Sequence, residues 1–145
     1  MTFALPTITG VTPIRCTRFT VMGEPRSKQR PRVTQRGTFT PKETIEAEKR
    51  VRDAWRMAGE QKYEHQVIVD LRFYNGNKRR RDIDNMAKLV LDALNKEAFD
   101  DDYQVVGVNM YKFFTDADKA RTEVVIQEVV DWPDERKAVP ALFSP

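Results

Sequence analysis

Residues 66–74, QVIVDLRFY, alternate strictly: Val67, Val69, Leu71 and Phe73 on one side, Ile68, Asp70, Arg72 and Tyr74 on the other. This two-residue period predicts a strand with a buried face. The strand meets a turn signal at Asn75-Gly76-Asn77 and then four consecutive cations, Lys78, Arg79, Arg80 and Arg81. From Ile83 the period changes: Met86, Leu89, Val90, Ala93 and Leu94 recur at helical spacing, which predicts an amphipathic helix running toward Phe99. A strand, a charged turn and a helix in that order leave little freedom. The helix is expected to pack on one face of the sheet, and the charged segment follows the end of the strand at once.

The flanking segments extend the pattern. Residues 17–23 alternate as a strand closed by Gly23. Thr40-Pro41-Lys42-Glu43 reads as a helix start, with Thr40 as N-cap and Glu43 closing a capping box. Ala47, Val51, Ala54, Trp55 and Ala58 then follow at helical spacing until Gly59, with Trp55 as the core anchor. Residues 103–114 and 121–130 read as two strands joined as a hairpin by a polar turn. The expected fold is α+β, a small mixed sheet with two main helices on one face in the order β-α-β-α-β-β. The 145 residues make one domain, expected over 17–130, with an N-terminal extension over 1–16 and a proline-punctuated tail over 131–145 in which Leu142 and Phe143 are available to dock.

Charge is sorted along this chain. The net charge is only +3, yet residues 26–42 carry six cations, Arg26, Lys28, Arg30, Arg32, Arg36 and Lys42, and no acid. Residues 82–102 carry seven acids against two lysines. A basic arm stiffened by Pro31 and interrupted by Gly37 and Phe39 suits a polyanion. The single cysteine, Cys16, permits no internal disulfide, and the single histidine, His65, offers no soft-metal cluster. No run approaches the length of a membrane span, so the chain is expected to be soluble, cytoplasmic and without a membrane partner.

Asp82 and Asp84 flank one residue where the charged turn becomes the helix. Two carboxylates about 4 Å apart repel by about 4 kcal/mol at an effective dielectric of 20, so a cation belongs between them. Hard, oxygen-seeking Mg²⁺ fits, because it takes one or two carboxylates and completes its octahedron with water and phosphate oxygens. Asp84, Lys88, Asp92 and Asn95 share the polar stripe of the helix. Lys88 is placed to reach a phosphate. Asp100, Asp101 and Asp102 follow the helix at the start of the next strand, and if that strand pairs beside the one ending near Phe73 they are expected to return to the neighbourhood of Asp82 and Asp84, so that acids from two segments ring one or two metals. The carboxylates read as metal ligands, the cations 78–81 as phosphate contacts, and nucleic acid as the substrate that needs both. An EF-hand loop fits less well for want of its glycine, and a haloacid-dehalogenase-like site because cations stand between the strand and the Asp pair.

With these residues assembled, the sequence resembles the RusA family of Holliday junction resolvases, on RRRDIDN (79–85), Lys88, DAL (92–94) and DDYQVV (101–106). FTVMGEPRSKQRPR (19–32) is similar to the entry of phage and prophage members, and the likeness spans residues 17–128. It implies a homodimeric, Mg²⁺-dependent endodeoxyribonuclease, with Mn²⁺ as a substitute, that places paired symmetric nicks in four-way DNA junctions during recombination and repair. By position, Asp82, Asp84, Lys88 and Asp102 match the catalytic set, with Asp82, Asp84 and Asp102 on the metal and Asp101 as a further ligand candidate. Arg26, Lys28, Arg30, Arg32, Arg36, Lys78, Arg79, Arg80 and Arg81 are the expected DNA contacts. The alternatives are a non-catalytic nucleic-acid-binding module of phage origin and a nuclease with a broader range of branched DNA.

Overall fold

The structure, a computed structural model, describes residues 10–136. The expected terminal segments therefore lie partly outside the described residues, Leu142 and Phe143 among them. Strands β1 (Thr12–Met22), β4 (Gln66–Asn75), β5 (Val105–Phe114) and β6 (Arg121–Val130) form one sheet in the order β1-β6-β4-β5. Strands β2 (Arg32–Thr34) and β3 (Gly37–Phe39) form a separate hairpin. Helices α1 (Lys42–Met57) and α2 (Ile83–Leu94) pack on one face of the main sheet. This is the expected mixed-sheet α+β architecture, and no helix of the described residues is long and apolar enough to cross a membrane.

The alternation in β4 does what its period requires. Val67, Val69, Leu71 and Phe73 are buried beneath the helices. They meet Met86, Leu89, Val90, Ala93 and Leu94 of α2, together with Ala47, Val51 and Trp55 of α1. Trp55 meets Phe19 edge-on at 6.0 Å between ring centroids and Tyr63 at 5.5 Å. The Arg15 guanidinium closes this cluster, 4.0 Å above the Tyr63 ring.

Four local expectations need correction. First, β1 starts at Thr12 rather than at residue 17, because its pairing with β6 continues to Thr12 opposite Val130. Second, the N-cap of α1 is Pro41, without a side-chain cap, and the Thr44 hydroxyl instead accepts the Gln29 N–H at 3.3 Å. Third, α2 ends at Leu94: Asn95 leaves helical geometry with ψ of 128° and Lys96 takes a φ of +69°, which returns Phe99 into the core. Fourth, β5 and β6 are not a hairpin. They flank β4, β5 in parallel and β6 antiparallel. Their connection, residues 115–120, crosses over the end of β4, held there by the Thr115 N–H on the Asn75 carbonyl at 2.9 Å. The crossing is close enough that a Cβ on Gly76 would lie 2.7 Å from Ala117 Cα.

Trp55→Ala should lower unfolding free energy by about 3–5 kcal/mol in urea titrations, since a large buried aromatic leaves a cavity that helix and sheet cannot collapse into. A pH dependence also follows from Glu128. Burial alone pushes this carboxyl up, but the N–H groups of His65 (3.0 Å) and Glu64 (2.8 Å) and the nearby Arg15 outweigh burial and hold it below its ordinary value. A lowered carboxyl contributes stability that is present above its unfolded pKa and lost as pH falls through the folded one. Glu128→Gln should therefore flatten the acid limb of stability measured against pH, with the loss of stability largest above pH 4.5 and vanishing as pH falls through the folded pKa.

Candidate active site and nucleic-acid interface

The turn after β4 is held from three directions. The Gly76 N–H donates to both Glu24 carboxylate oxygens, at 3.2 and 3.0 Å. The Arg81 guanidinium donates to Glu24 Oε1 at 3.0 Å and to Asn77 Oδ1 at 3.2 Å. The Lys112 ammonium, from β5, donates to the Arg81 carbonyl at 2.9 Å. Arg81 is therefore a buried residue turned into the fold, 8% exposed, while Lys78, Arg79 and Arg80 stand in solvent. Of the four cations expected on DNA from this segment, three are free to reach it.

The inward turn of Arg81 aims its neighbour. Asp82 has extended backbone (φ −80°, ψ 134°), a geometry in which successive side chains point to opposite sides. With Arg81 inside, Asp82 is exposed at the N-terminus of α2. Asp84 is exposed in the first turn, its Oδ1 accepting only the adjacent Asn85 N–H at 2.9 Å. Neither carboxylate has an ion-pair partner among the described residues, and Lys88, one turn further, is likewise exposed. Asp82, Asp84 and Lys88 thus share the start of one helix.

The remaining members lie elsewhere. Lys28, expected on DNA, reaches back into the protein, 2.7 Å from Glu48 and 3.0 Å from Asp92. Burial alone lowers this ammonium, but its bonds to Glu48 and Asp92 prevail and raise it, so it stays charged. The Lys28 N–H also donates to the Asn85 carbonyl at 3.0 Å, which fastens the root of the basic arm to the first turn of α2. Arg26, Arg30, Arg32 and Arg36 remain exposed.

Asp100, Asp101 and Asp102 precede β5. Asp100 pairs with Lys62 at 2.9 Å. The Gln104 amide orders this corner by accepting the Asp100 N–H (2.9 Å) and donating to the carbonyls of Tyr63 (3.1 Å) and His65 (3.0 Å). Asp101 and Asp102 are adjacent carboxyls that act on each other. Their mutual hydrogen bond raises Asp102 and lowers Asp101, and the charge of Asp92 further raises Asp102.

Because β4 and β5 are parallel, with Val67 opposite Val105 and Asn75 opposite Phe114, Asp82 and Asp102 belong to opposite ends of the sheet. The 12 residues of α2 between them span about 18 Å. Among the described residues no three Asp, Glu, His or Cys side chains stand close enough to share one metal ion. One copy of the chain therefore gathers Asp82, Asp84 and Lys88 but not Asp102. Asp82 and Asp84 still make a donor set that suits Mg²⁺, two exposed oxygen ligands with room for water and phosphate oxygens.

Glu24, Lys112 and Gln104 have no role in the sequence reading, and Asn77 only that of a turn residue. Each acts through a contact 4 to 57 residues distant, and only the crowded Gly76 leaves a local trace of that packing.

Comparison with known proteins bears on this arrangement. An uncharacterised protein of Bacillus subtilis (strain 168), YqaN, is 29% identical over 140 residues, which cover 79% of this chain and 97% of that protein. The sequence profile of the family described as "Endodeoxyribonuclease RusA" matches residues 22–127. That match runs from the end of β1 through the Asp82 turn, α2 and the Asp102 corner into β6, and the chain belongs to the RusA endodeoxyribonuclease family.

Proposed function

We propose that this nuclease resolves four-way DNA junctions by paired symmetric nicks, as a homodimer whose two active sites are each completed across the subunit interface. The observation that carries the reading is the placement of the acids: Asp82 and Asp84 at one end of α2, Asp102 at the other. In an isologous dimer residue i meets j wherever j meets i, so two such ends can complement each other twice. Strand β5 is one of the two edges of the sheet and carries exposed Met110, Tyr111 and Phe114, with Tyr103 just before it. Two β5 edges side by side in antiparallel sense bring the start of one, with Asp102, toward the end of the other, where the Asp82 turn lies. Such an assembly also matches the two-fold symmetry of a junction and its need for two cuts.

In this reading Asp82, Asp84 and the partner's Asp102 hold Mg²⁺, or Mn²⁺ in its place, with Asp101 as an additional ligand. The ion supplies charge neutralisation and Lewis-acid polarisation at the scissile phosphate. Lys88 places an ammonium beside the same phosphate and stabilises the charge that develops on it. Lys78, Arg79 and Arg80 hold the flanking backbone without reading sequence. Glu24, by holding Arg81 inward, keeps Asp82 presented to that strand. Recombination and repair in the cytoplasm of a bacterial or phage-infected cell is the setting this activity fits.

Asp82→Asn and Asp102→Asn should each abolish cleavage of an immobile junction in Mg²⁺ while leaving junction binding intact. Mixing the two inactive chains, with subunit exchange, discriminates further. Composite sites give each heterodimer one intact site, so about a quarter of wild-type nicking should return in a random mixture. Sites built within one chain return none, and that result rejects the shared-site arrangement. Junction affinity should fall linearly on a log–log plot against salt, with a slope of about −0.9 per phosphate neutralised. Affinity independent of salt would remove the backbone-binding role of these cations.

A further inference from the structure

The hairpin β2–β3 pairs with nothing but itself, Arg32 opposite Phe39, Val33 opposite Thr38 and Thr34 opposite Gly37. Every residue from 29 to 40 is exposed. Its turn is nonetheless ordered locally: the Thr34 hydroxyl accepts the Arg36 N–H at 3.2 Å and donates to the Gly37 carbonyl at 3.1 Å. Gly37, at a φ of +118°, takes a conformation that side-chain-bearing residues rarely adopt. Val33 is 80% exposed and Phe39 48%. A two-stranded hairpin is marginal in water, and these two side chains contribute no core contact that would hold it. Arg30, Arg32 and Arg36 surround them with no acid between residues 25 and 42.

We infer that this hairpin is a β-ribbon that enters the major groove of one duplex arm of the substrate. The inference rests on the nuclease reading for its substrate class and adds the part of the substrate that the ribbon touches. Three physical features favour a groove over a flat surface or a second protein. The charge is of one sign, which suits a phosphate-lined channel. Paired strands about 4.8 Å apart, with their side chains, match the roughly 12 Å major groove and exceed the roughly 6 Å minor groove. Phe39, on the ribbon face it shares with Arg32, supplies apolar contact of the kind that base edges and thymine methyl groups accept, and Val33 offers a second apolar contact from the opposite face.

The root of the ribbon ties it to the chemistry. Gln29 bonds to Thr44 at the start of α1, and Lys28 joins Asn85, Asp92 and Glu48. The ribbon therefore leaves the body of the protein from the first turn of α2, beside Asp84. A duplex arm gripped by the ribbon is held in fixed relation to the carboxylates that flank the bond to be cut.

The test uses the full-length chain carrying Asp82→Asn, so that binding is read without cleavage, on a four-way junction with long arms. Dimethyl sulfate probes guanine N7 in the major groove and adenine N3 in the minor groove of the same DNA. The expected result is N7 protection on a duplex arm that disappears when residues 32–39 are replaced by two glycines, and also in Val33→Ser/Phe39→Ser. Arg32→Ala/Arg36→Ala should reduce the salt slope by about 2, one per arginine. The point variants keep the question open to refutation if the shortened chain does not fold. Unchanged N7 protection in these variants, or a ribbon-dependent footprint confined to adenine N3, overturns the inference. So does sedimentation showing that loss of the ribbon converts a dimer to monomers, which makes the ribbon a contact between copies. Failure of the wild-type chain to cut junctions while ribbon-dependent N7 protection persists sinks the junction-resolving reading and leaves the ribbon standing; cutting without such protection does the reverse.

Discussion

Parallel pairing of β4 with β5 is the constraint on which the remaining organisation depends. Parallel neighbours cannot be joined by a tight turn, so the chain must travel the length of the sheet between them, and α2 makes that journey. The crossover buries the Met86/Leu89/Val90/Leu94 face against the sheet and leaves Asp84 and Lys88 outside. It also fixes the acids that begin and end it at opposite poles. The proposed dimer is a way to bring those two ends together, one from each copy.

Around that crossover, charges of similar appearance perform different tasks. Arg81 and Lys28 belong to the most cationic stretches of the chain, yet both are anchors: one bonds Glu24 beneath the Asp82 turn, the other bridges Glu48 and Asp92. Exposed ion pairs contribute little to stability, but a buried pair that loses one partner leaves an uncompensated charge. The anchors thereby restrict where the free cations can stand. Lys78, Arg79 and Arg80 flank the carboxylates, and Arg30, Arg32 and Arg36 line the hairpin. Gly76 occupies the point where these constraints meet, between the β5–β6 connection and the Glu24 carboxylate.

Much of the local structure was readable from periodicity. Val67 to Phe73 with period two and Met86 to Leu94 with helical period placed the central strand and the crossover helix, because alternation and amphipathicity are properties of neighbouring residues. Trp55, on the apolar stripe of its helix, is a core anchor for the same reason. The hairpin expected between 103–114 and 121–130 was not found: two strands joined by a short link look alike in sequence whether they pair with each other or with a third strand between them. The exposure of Asp84 and Lys88 follows from the helical stripe, whereas the inward turn of Arg81 and Lys28, and with the former the outward turn of Asp82, does not.

Periodicity was enough to locate the four strands of the main sheet, both helices and their apolar faces, and RRRDIDN to show carboxylates and cations side by side, while the short β2–β3 hairpin left no such trace. These are local facts, set by the chemistry and spacing of adjacent side chains. The tertiary structure alone decided that β5 runs parallel to β4, that Asp102 is carried to the far end of α2, and that Glu24 holds the turn which presents Asp82. Strand order and partner choice depend on which surfaces, tens of residues apart, bury the most apolar area with every backbone group paired, and no single window of the chain contains that information.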